Sequence, residues 1–419
     1  MNDNDRSIVG FAMLGHALFH TYELSIPVFI VAWLEYFSTT EATLGLVVGA
    51  GYALVGVGAL PSGILSDRYG SRRPVVLAVF GMGVGFLALA LAPNVLVLGA
   101  ALVIWGAAAS VYHPAALALL SRGTEQRGTA LAYHGAAGNV GTVLGPLAAA
   151  LLLAFLEWRL VAALFVLPAL GGGLAALRLD FDEGAGVEDG HPADGSDADP
   201  DPDPEPEADG GATVGGIRGL YRDSRALFSG GFVLVFAIIL LYGLFYRGVL
   251  TFLPEVLADL PLFDPVVVGA TEFEPGQYVY AGLLTVGVLG QYAGGRLTDA
   301  TDTVRLLGGT FLALALVALA FVPASRAGLG PLLAVCVALG FLIYFVAPVY
   351  QATVADYADS DVHGLSYGFT YLSMFGVGAL GAVLAGTVLS FTGTAVLFVV
   401  LAGVVVVAAG LCGWLLLRG

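Results

Sequence analysis

The chain has 419 residues, of which 58% are hydrophobic and only 11% are charged, and its mean hydropathy is +0.89. Soluble globular proteins carry roughly a quarter of their residues as charges, so this composition excludes a soluble fold and requires lipid as solvent. Backbone polar groups in lipid must bond internally, which leaves helices or closed barrels. Because the apolar runs are long and lack alternating polarity, they predict an all-α membrane protein.

The apolar runs fall into two sets separated by a polar break. A membrane-spanning helix needs about 20 apolar residues. The first set contains runs at 8–33, 42–65, 74–93, 95–120, 128–156 and 159–178. The second set contains runs at 229–256, 276–298, 303–323, 330–356, 364–390 and 393–417. We therefore predict twelve transmembrane helices in two six-helix halves, residues 1–178 and 229–419.

The break at residues 179–228 is strongly acidic. Thirteen acidic and no basic residues lie between Asp180 and Asp209, and a run of alternating acidic and proline residues occupies 199–207. Such a segment cannot form a core and predicts a disordered linker between the halves, with a partner-binding acidic tail as the alternative. All 16 basic residues are arginine and the net charge is −16, which is typical of salt-accumulating halophiles; a GC-rich genome is the alternative explanation.

The arginines predict the orientation of the chain. Thirteen of them lie in loops or termini on one side of the predicted spans, only Arg159 and Arg326 lie on the other side, and Arg247 lies within a span. Cytoplasmic loops are enriched in basic residues. We therefore expect a multi-pass plasma-membrane protein whose termini and 179–228 segment are cytoplasmic.

The two halves share a weak internal repeat. Gly63-Ile-Leu-Ser-Asp67 matches Gly295-Arg-Leu-Thr-Asp299, and Pro27 pairs with Pro254. Parallel repeats of six spans occur in secondary transporters, whose binding site lies near mid-membrane between the repeats.

The loop between spans 2 and 3 reads Gly63-Ile-Leu-Ser-Asp67-Arg68-Tyr-Gly70-Ser-Arg72-Arg73. It resembles the corresponding loop of the major facilitator superfamily, which implies a fold of two six-helix halves. The resemblance also implies that Asp67 docks at the start of span 11, near His363. By the repeat, Asp299 is expected to dock near Arg127. A simple basic cytoplasmic loop is the alternative. The expected conformational gating residues are Gly63, Asp67, Arg68, Gly70, Arg72, Arg73, Asp299 and Arg127.

Spans 1, 4 and 5 resemble the fosmidomycin-resistance type of exporter. The matching residues are His16, His20 and Pro27, then Tyr112-His113-Pro114, then Gly138, Gly141, Gly145 and Pro146. The glycine–proline run also resembles the antiporter motif of drug exporters; its glycines permit close helix packing and its proline permits bending. His20 stands where such exporters carry an aspartate, and span 4 lacks the buried arginine of many proton antiporters.

Ionisable residues inside the spans indicate where a site lies, because such groups face a cavity or a partner. His16, His20 and Glu23 are spaced i, i+4, i+7 and share one helix face. Glu23 and Arg247 are expected to form a functional or gating pair, with a static ion pair as the alternative, and His134 is expected to be structural. The expected substrate or ion cavity consists of His16, His20, Glu23, His113, Tyr242, Tyr246, Arg247, Tyr344 and Gln351.

No sequence feature indicates covalent chemistry. The chain has no phosphate-binding GxxxxGK[ST] and no HExxH, so we expect no enzyme activity, no cofactor, no metal and no nucleic-acid partner. We predict a secondary transporter, a monomer in the lipid bilayer, that exports a small organic compound in exchange for a proton or sodium ion. If protons drive it, Glu23 is expected to carry the proton. The alternatives are proton- or sodium-coupled uptake of an organic anion, nucleoside or sugar, and a non-transporting receptor.

Overall fold

The computed structural model describes residues 1–185, 222, 224, 225, 227, 228, 230–357 and 363–418, apart from the side chains of Leu60, Ile64, Asp67 and His363. Within these residues, ten helices are long and apolar enough to cross a membrane. The remaining two predicted spans, the second and the eighth, are also helical. The second consists of two consecutive helices, Glu41–Val57 and Ala59–Tyr69, and the eighth is the more polar helix Pro275–Thr298. The predicted all-α membrane fold is therefore confirmed.

The first half contains nine helices because three of its spans are interrupted. The interruptions follow Val57, Ala109 and Leu164, so spans 2, 4 and 6 are each built from two helices. The helices are α1 (Asp3–Tyr36), α2 (Glu41–Val57), α3 (Ala59–Tyr69), α4 (Arg72–Ala90), α5 (Val95–Ala109), α6 (Tyr112–Gly123), α7 (Arg127–Leu153), α8 (Trp158–Leu164) and α9 (Val166–Arg178).

Among its described residues, the second half has seven α-helices and one short hairpin. They are α10 (Phe232–Ala258), a 3₁₀ turn (Pro261–Phe263), β1 (Val266–Val268), β2 (Thr271–Phe273), α11 (Pro275–Thr298), α12 (Thr303–Ala327), α13 (Leu329–Tyr357), α14 (His363–Tyr371), a π-helical segment (Leu372–Val377), α15 (Leu380–Phe391) and α16 (Thr394–Arg418). The antiparallel hairpin β1–β2 pairs Val266 with Phe273 and was not predicted.

Helices α1 and α7 pack closely through the glycines of span 5. A Cβ atom on Gly141 would meet the carbonyl oxygen of Ala17, and one on Gly145 would meet the backbone of Thr21. Only glycine allows two helix backbones to approach this closely. This contact holds α1, which carries the predicted histidines, against α7.

The packed part of the first half extends beyond the predicted boundary at residue 178. The carboxylate of Glu183 accepts hydrogen bonds from the backbone nitrogens of Ser71, at 2.6 Å, and Arg72, at 3.1 Å, where α4 begins. The ring of Phe181 lies 5.1 Å from that of Phe11. Residues 179–185 therefore belong structurally to the first half rather than to the predicted linker. Residues 186–221 lie outside the described residues.

The two halves meet on the membrane side opposite the termini. Because twelve is an even number of spans, both termini lie on the same side of the membrane, here called the terminal side. On the opposite side, the hydroxyl of Ser390 donates to Glu41 at 2.7 Å and accepts from the backbone nitrogen of Ala42 at 2.8 Å. The rings of Phe155 and Phe273 lie 5.8 Å apart. These contacts join the first half to the second and close the opposite side.

Candidate functional site

A cavity of about 380 Å³ lies between the two halves, lined by α1, α6 and α7 on one side and by α10, α11, α13 and α14 with the π-helical segment on the other. Seven of the nine predicted cavity residues line it: His16, His20, His113, Tyr242, Tyr246, Tyr344 and Gln351. Lining residues that the sequence did not single out include Asn139, Thr142, Gln291, Thr370, Tyr371 and Phe375.

The cavity opens on the terminal side. Among its lining residues, Leu131 and Tyr367 are 43% and 38% exposed, and Gln351 is exposed as well. Leu131 and Tyr367 lie in the first turns of α7 and α14, and Gln351 lies two turns before the end of α13, so all three lie toward the terminal side. The described residues therefore place the entrance of the cavity on the terminal side, and the contacts described above close the opposite side.

Glu23 and Arg247 do not line the cavity but lie behind its wall, where they join the two halves. The guanidinium Nη2 of Arg247 donates to Oε1 of Glu23, and both side chains are fully buried. The ring of Tyr52 lies 3.8 Å from the guanidinium carbon of Arg247, and its hydroxyl donates to the carbonyl oxygen of Glu23 at 2.9 Å. Leaving one member of a buried ion pair alone typically costs about 3–5 kcal/mol, so this pair strongly favours contact between α1 and α10.

A chain of histidines continues from Glu23 into the cavity. Nδ1 of His20 lies 2.7 Å from Oε2 of Glu23, and Nε2 of His20 lies 3.1 Å from Nε2 of His16. His113, from α6, brings its own Nε2 to 3.2 Å from the same nitrogen of His16. The helical spacing therefore places the three α1 side chains together, and α6 adds a third imidazole.

His134 braces this chain from α7. Its ring stacks on that of His16 with centroids 3.8 Å apart, and its carbonyl oxygen lies 2.7 Å from Nδ1 of His16. The hydroxyl of Tyr112 donates to the carbonyl oxygen of Ala12 at 2.5 Å and therefore accepts from Nε2 of His134 at 3.0 Å. The ring and the backbone carbonyl of His134 thus both make contacts that hold α1, α6 and α7 together, as expected of a structural residue.

The predicted gating residues are spread over the terminal side. Arg72 donates through Nη2 to the carbonyl oxygen of Leu179 at 2.5 Å, whereas Arg68, Arg73 and Arg127 are exposed. Gly63 lies within α3, and Gly70 follows its last residue with a positive φ of 76°. The side chains of Asp67 and His363 and residues 358–362 lie outside the described residues, so the predicted dock between them has no structural account.

The predicted dock of Asp299 near Arg127 is not formed. Asp299 follows the last residue of α11 and is exposed, and Arg127 is exposed at the start of α7. Among the described residues, no hydrogen bond or ion pair joins the two. The physical reason is the open cavity, whose entrance lies between the terminal-side ends of the two halves.

The sequence pattern of the Major Facilitator Superfamily matches residues 11–381, so the chain belongs to this superfamily. It is 30% identical over 173 residues to the multidrug resistance protein B homolog of Mycobacterium tuberculosis, covering 41% of this chain and 31% of that one. It is 27% identical over 141 residues to the multi-drug resistance efflux pump PmrA homolog of Lactococcus lactis, covering 32% and 35%. It is 29% identical over 125 residues to the uncharacterized MFS-type transporter YqjV of Bacillus subtilis, covering 29% and 30%. Each alignment thus spans about a third of the relative's length.

Two solved structures share the fold over nearly their whole length. One is a bacterial homolog of the human lysosomal transporter Spinster in an inward-facing, unoccupied conformation, with a TM-score of 0.69, 16% identity and coverage of 99% of this chain and 96% of that one. The other is a mutant of the nucleoside transporter NupG, with a TM-score of 0.73, 14% identity and coverage of 99% and 100%. At these identities the likeness shows the fold alone. The finer resemblance to the fosmidomycin-resistance type stays a prediction.

Proposed function

We propose that this chain is a secondary transporter that exports a small organic compound by alternating access, in exchange for an ion. The observation that carries the proposal is a cavity that, among the described residues, lies between the two halves, opens on the terminal side and has the buried Glu23–Arg247 pair behind its wall. Separating this pair and the contacts beyond it would open the opposite side. A rocking motion of the halves would thus move the cavity from one side to the other.

The cavity chemistry fits an amphipathic organic compound. Its volume of about 380 Å³ falls within the usual range for small-molecule sites, roughly 300–1,000 Å³. The second half contributes aromatic rings with hydroxyl groups, including those of Tyr246, Tyr344 and Tyr371, and the first half contributes imidazoles. Since Arg247 is fully buried and paired with Glu23, an anionic compound would meet this cation only after the pair separates.

The direction of transport rests on orientation and on relatives. Arginines enriched on the terminal side support cytoplasmic termini, so the cavity in this structure would face the cytoplasm. In this orientation an exporter loads its cargo from the inside of the plasma membrane. The relatives whose names describe multidrug resistance or efflux support export, although they align over only part of their length. Ion-coupled uptake would use the same geometry with the opposite net direction.

Transport in proteoliposomes with imposed pH and sodium gradients tests the proposal. A panel of amphipathic drugs, nucleosides, sugars and organic anions is the cargo. We expect at least one amphipathic compound to move against its gradient when a pH or sodium gradient is imposed. Tyr371→Ala, in the cavity wall, should weaken transport, whereas Tyr292→Ala, 64% exposed on α11, should not. Gradient-driven accumulation in the uptake direction, or no transport of any panel member, would contradict the proposed export.

A further inference from the structure

Three imidazole nitrogens converge at the wall of the cavity. Nε2 of His16 lies 3.1 Å from Nε2 of His20 and 3.2 Å from Nε2 of His113. One ring nitrogen of each histidine lies within 4.8 Å of those of the other two. All three residues line the cavity, so a small cation entering it can reach these nitrogens.

The hydrogen-bond partners of the two Nδ1 atoms determine which tautomers His16 and His20 adopt. Nδ1 of His16 faces the carbonyl oxygen of His134 at 2.7 Å, and Nδ1 of His20 faces the carboxylate of Glu23 at 2.7 Å. These oxygens only accept hydrogen bonds, so each Nδ1 carries the proton. In the neutral rings, both Nε2 atoms therefore present lone pairs to each other. Such a pair at 3.1 Å is favourable only when a cation, either a proton or a metal ion, lies between the two nitrogens.

We propose that His16, His20 and His113 bind a divalent transition-metal ion of the Zn²⁺ class through their Nε2 atoms. Nitrogens bound to one tetrahedral Zn²⁺ at about 2.0–2.1 Å lie about 3.3 Å apart, close to the two separations of 3.1 and 3.2 Å from Nε2 of His16. Neutral imidazole suits Zn²⁺, Ni²⁺ and Cu²⁺. The carboxylate of Glu23 and the carbonyl of His134 accept hydrogen bonds from the Nδ1 atoms of His20 and His16 and so orient the two rings, as acceptors behind metal-binding histidines do.

Three protein ligands leave the fourth position of the metal open toward the cavity. Sites with three ligands and an open position bind water or substrate there, whereas structural zinc sites are closed by four protein ligands. The ion would therefore be exchangeable and accessible to a chelating compound in the cavity. This site goes beyond the proposed export, because metal binding is measured on the purified chain and transport on vesicles, and either can fail alone.

The test uses purified full-length protein in which His191, His363, Cys336 and Cys412 are replaced. All histidines that remain then line the cavity, so Zn²⁺ bound by histidine is bound there. Zn²⁺ affinity is measured by competition with a chelating dye, and Co²⁺ serves as the spectroscopic probe. We expect one tight Zn²⁺ site per chain, visible absorption typical of tetrahedral Co²⁺, and nitrogen ligands at about 2.0–2.1 Å in X-ray absorption at the zinc edge. Failure to bind Zn²⁺ and Co²⁺ tightly would overturn the proposal and leave a proton between the imidazoles.

Single variants identify the ligands. His16→Ala and His113→Asn should each weaken Zn²⁺ binding at least 100-fold and abolish the tetrahedral Co²⁺ spectrum. Glu23→Gln should weaken Zn²⁺ binding by about 10–100-fold, because the carboxylate that accepts from Nδ1 of His20 is lost. Gln291→Ala, in the cavity wall on α11, is the matched control, since it removes no imidazole and leaves the hydrogen bonds of His16 and His20 in place, so its Zn²⁺ affinity should stay within a few-fold. Equal losses in Gln291→Ala and His16→Ala, or no loss in folded His113→Asn, would refute the assigned ligands.

Discussion

Replacing Glu23 with glutamine should open the side of the protein opposite the termini. The variant keeps the size of the side chain but removes the charge that Arg247 binds across the halves. A hydrogen bond to a charged group contributes about 1.5–3 kcal/mol, and each 1.4 kcal/mol is a factor of ten in an equilibrium constant. The population ratio of the conformation open on the opposite side to the conformation open on the terminal side should therefore rise about 10- to 150-fold. The buried guanidinium of Arg247, left without its carboxylate, adds to the shift because it favours any conformation in which water reaches it.

Spin labels on cysteines at Glu157 and Val267 report the opposite side, and labels at Glu125 and Thr301 report the terminal side; all four residues are exposed. In a background without the two native cysteines, Glu23→Gln should lengthen the Glu157–Val267 distance and shorten the terminal-side distance. Glu35→Gln, an exposed carboxylate on the same helix, is the control and should change neither. Unchanged distance distributions in folded Glu23→Gln would refute the argument. Loss of folded protein alone would instead indicate a static pair.

Three further predictions concern packing, orientation and gating. Gly145→Val should lower the free energy of unfolding by about 1–3 kcal/mol, because the larger side chain overpacks α7 against α1. Gly171→Val is the control and should not destabilise the protein, since no atom lies within 4 Å of its added Cβ. Equal effects of the two variants would contradict the packing argument. A cysteine at Ser196 should react with an impermeant maleimide only in inside-out vesicles, and reaction from the outside would reverse the orientation. Asp67→Asn and Asp299→Asn should favour the open terminal side, since a carboxylate at a helix N-terminus contributes roughly 0.3–2 kcal/mol, and the terminal-side spin-label distance will detect this.

The fold could be predicted from the sequence largely because lipid imposes a strong constraint on every span. Long apolar runs gave all twelve span positions to within a few residues, including the second half beginning near Phe232. The hairpin after α10 was missed because its strands, Val266–Val268 and Thr271–Phe273, have only three residues each. Such short strands carry no periodicity that distinguishes them from a loop.

The site could be predicted only where helical spacing or the cost of a buried charge links its residues. The spacing placed His16, His20 and Glu23 together, and the need to neutralise a buried charge indicated Arg247 as a partner for Glu23. The approach of His113 to His16 depends on the packing of α6 against α1, which no local pattern encodes. A search for spaced ligands within one helix therefore cannot group this third histidine with His16 and His20.

Alternating access around one cavity is tested most directly by a single cysteine at Asn139, in the middle of α7 and in the cavity wall. In a background without Cys336 and Cys412, an impermeant maleimide is added to oriented vesicles from either side, with and without an imposed ion gradient. We expect reaction from the terminal side in this conformation and from the opposite side after the halves rock, with Glu23→Gln increasing the reaction from the opposite side. Reaction from the terminal side alone, under every gradient and in both proteins, would contradict alternating access.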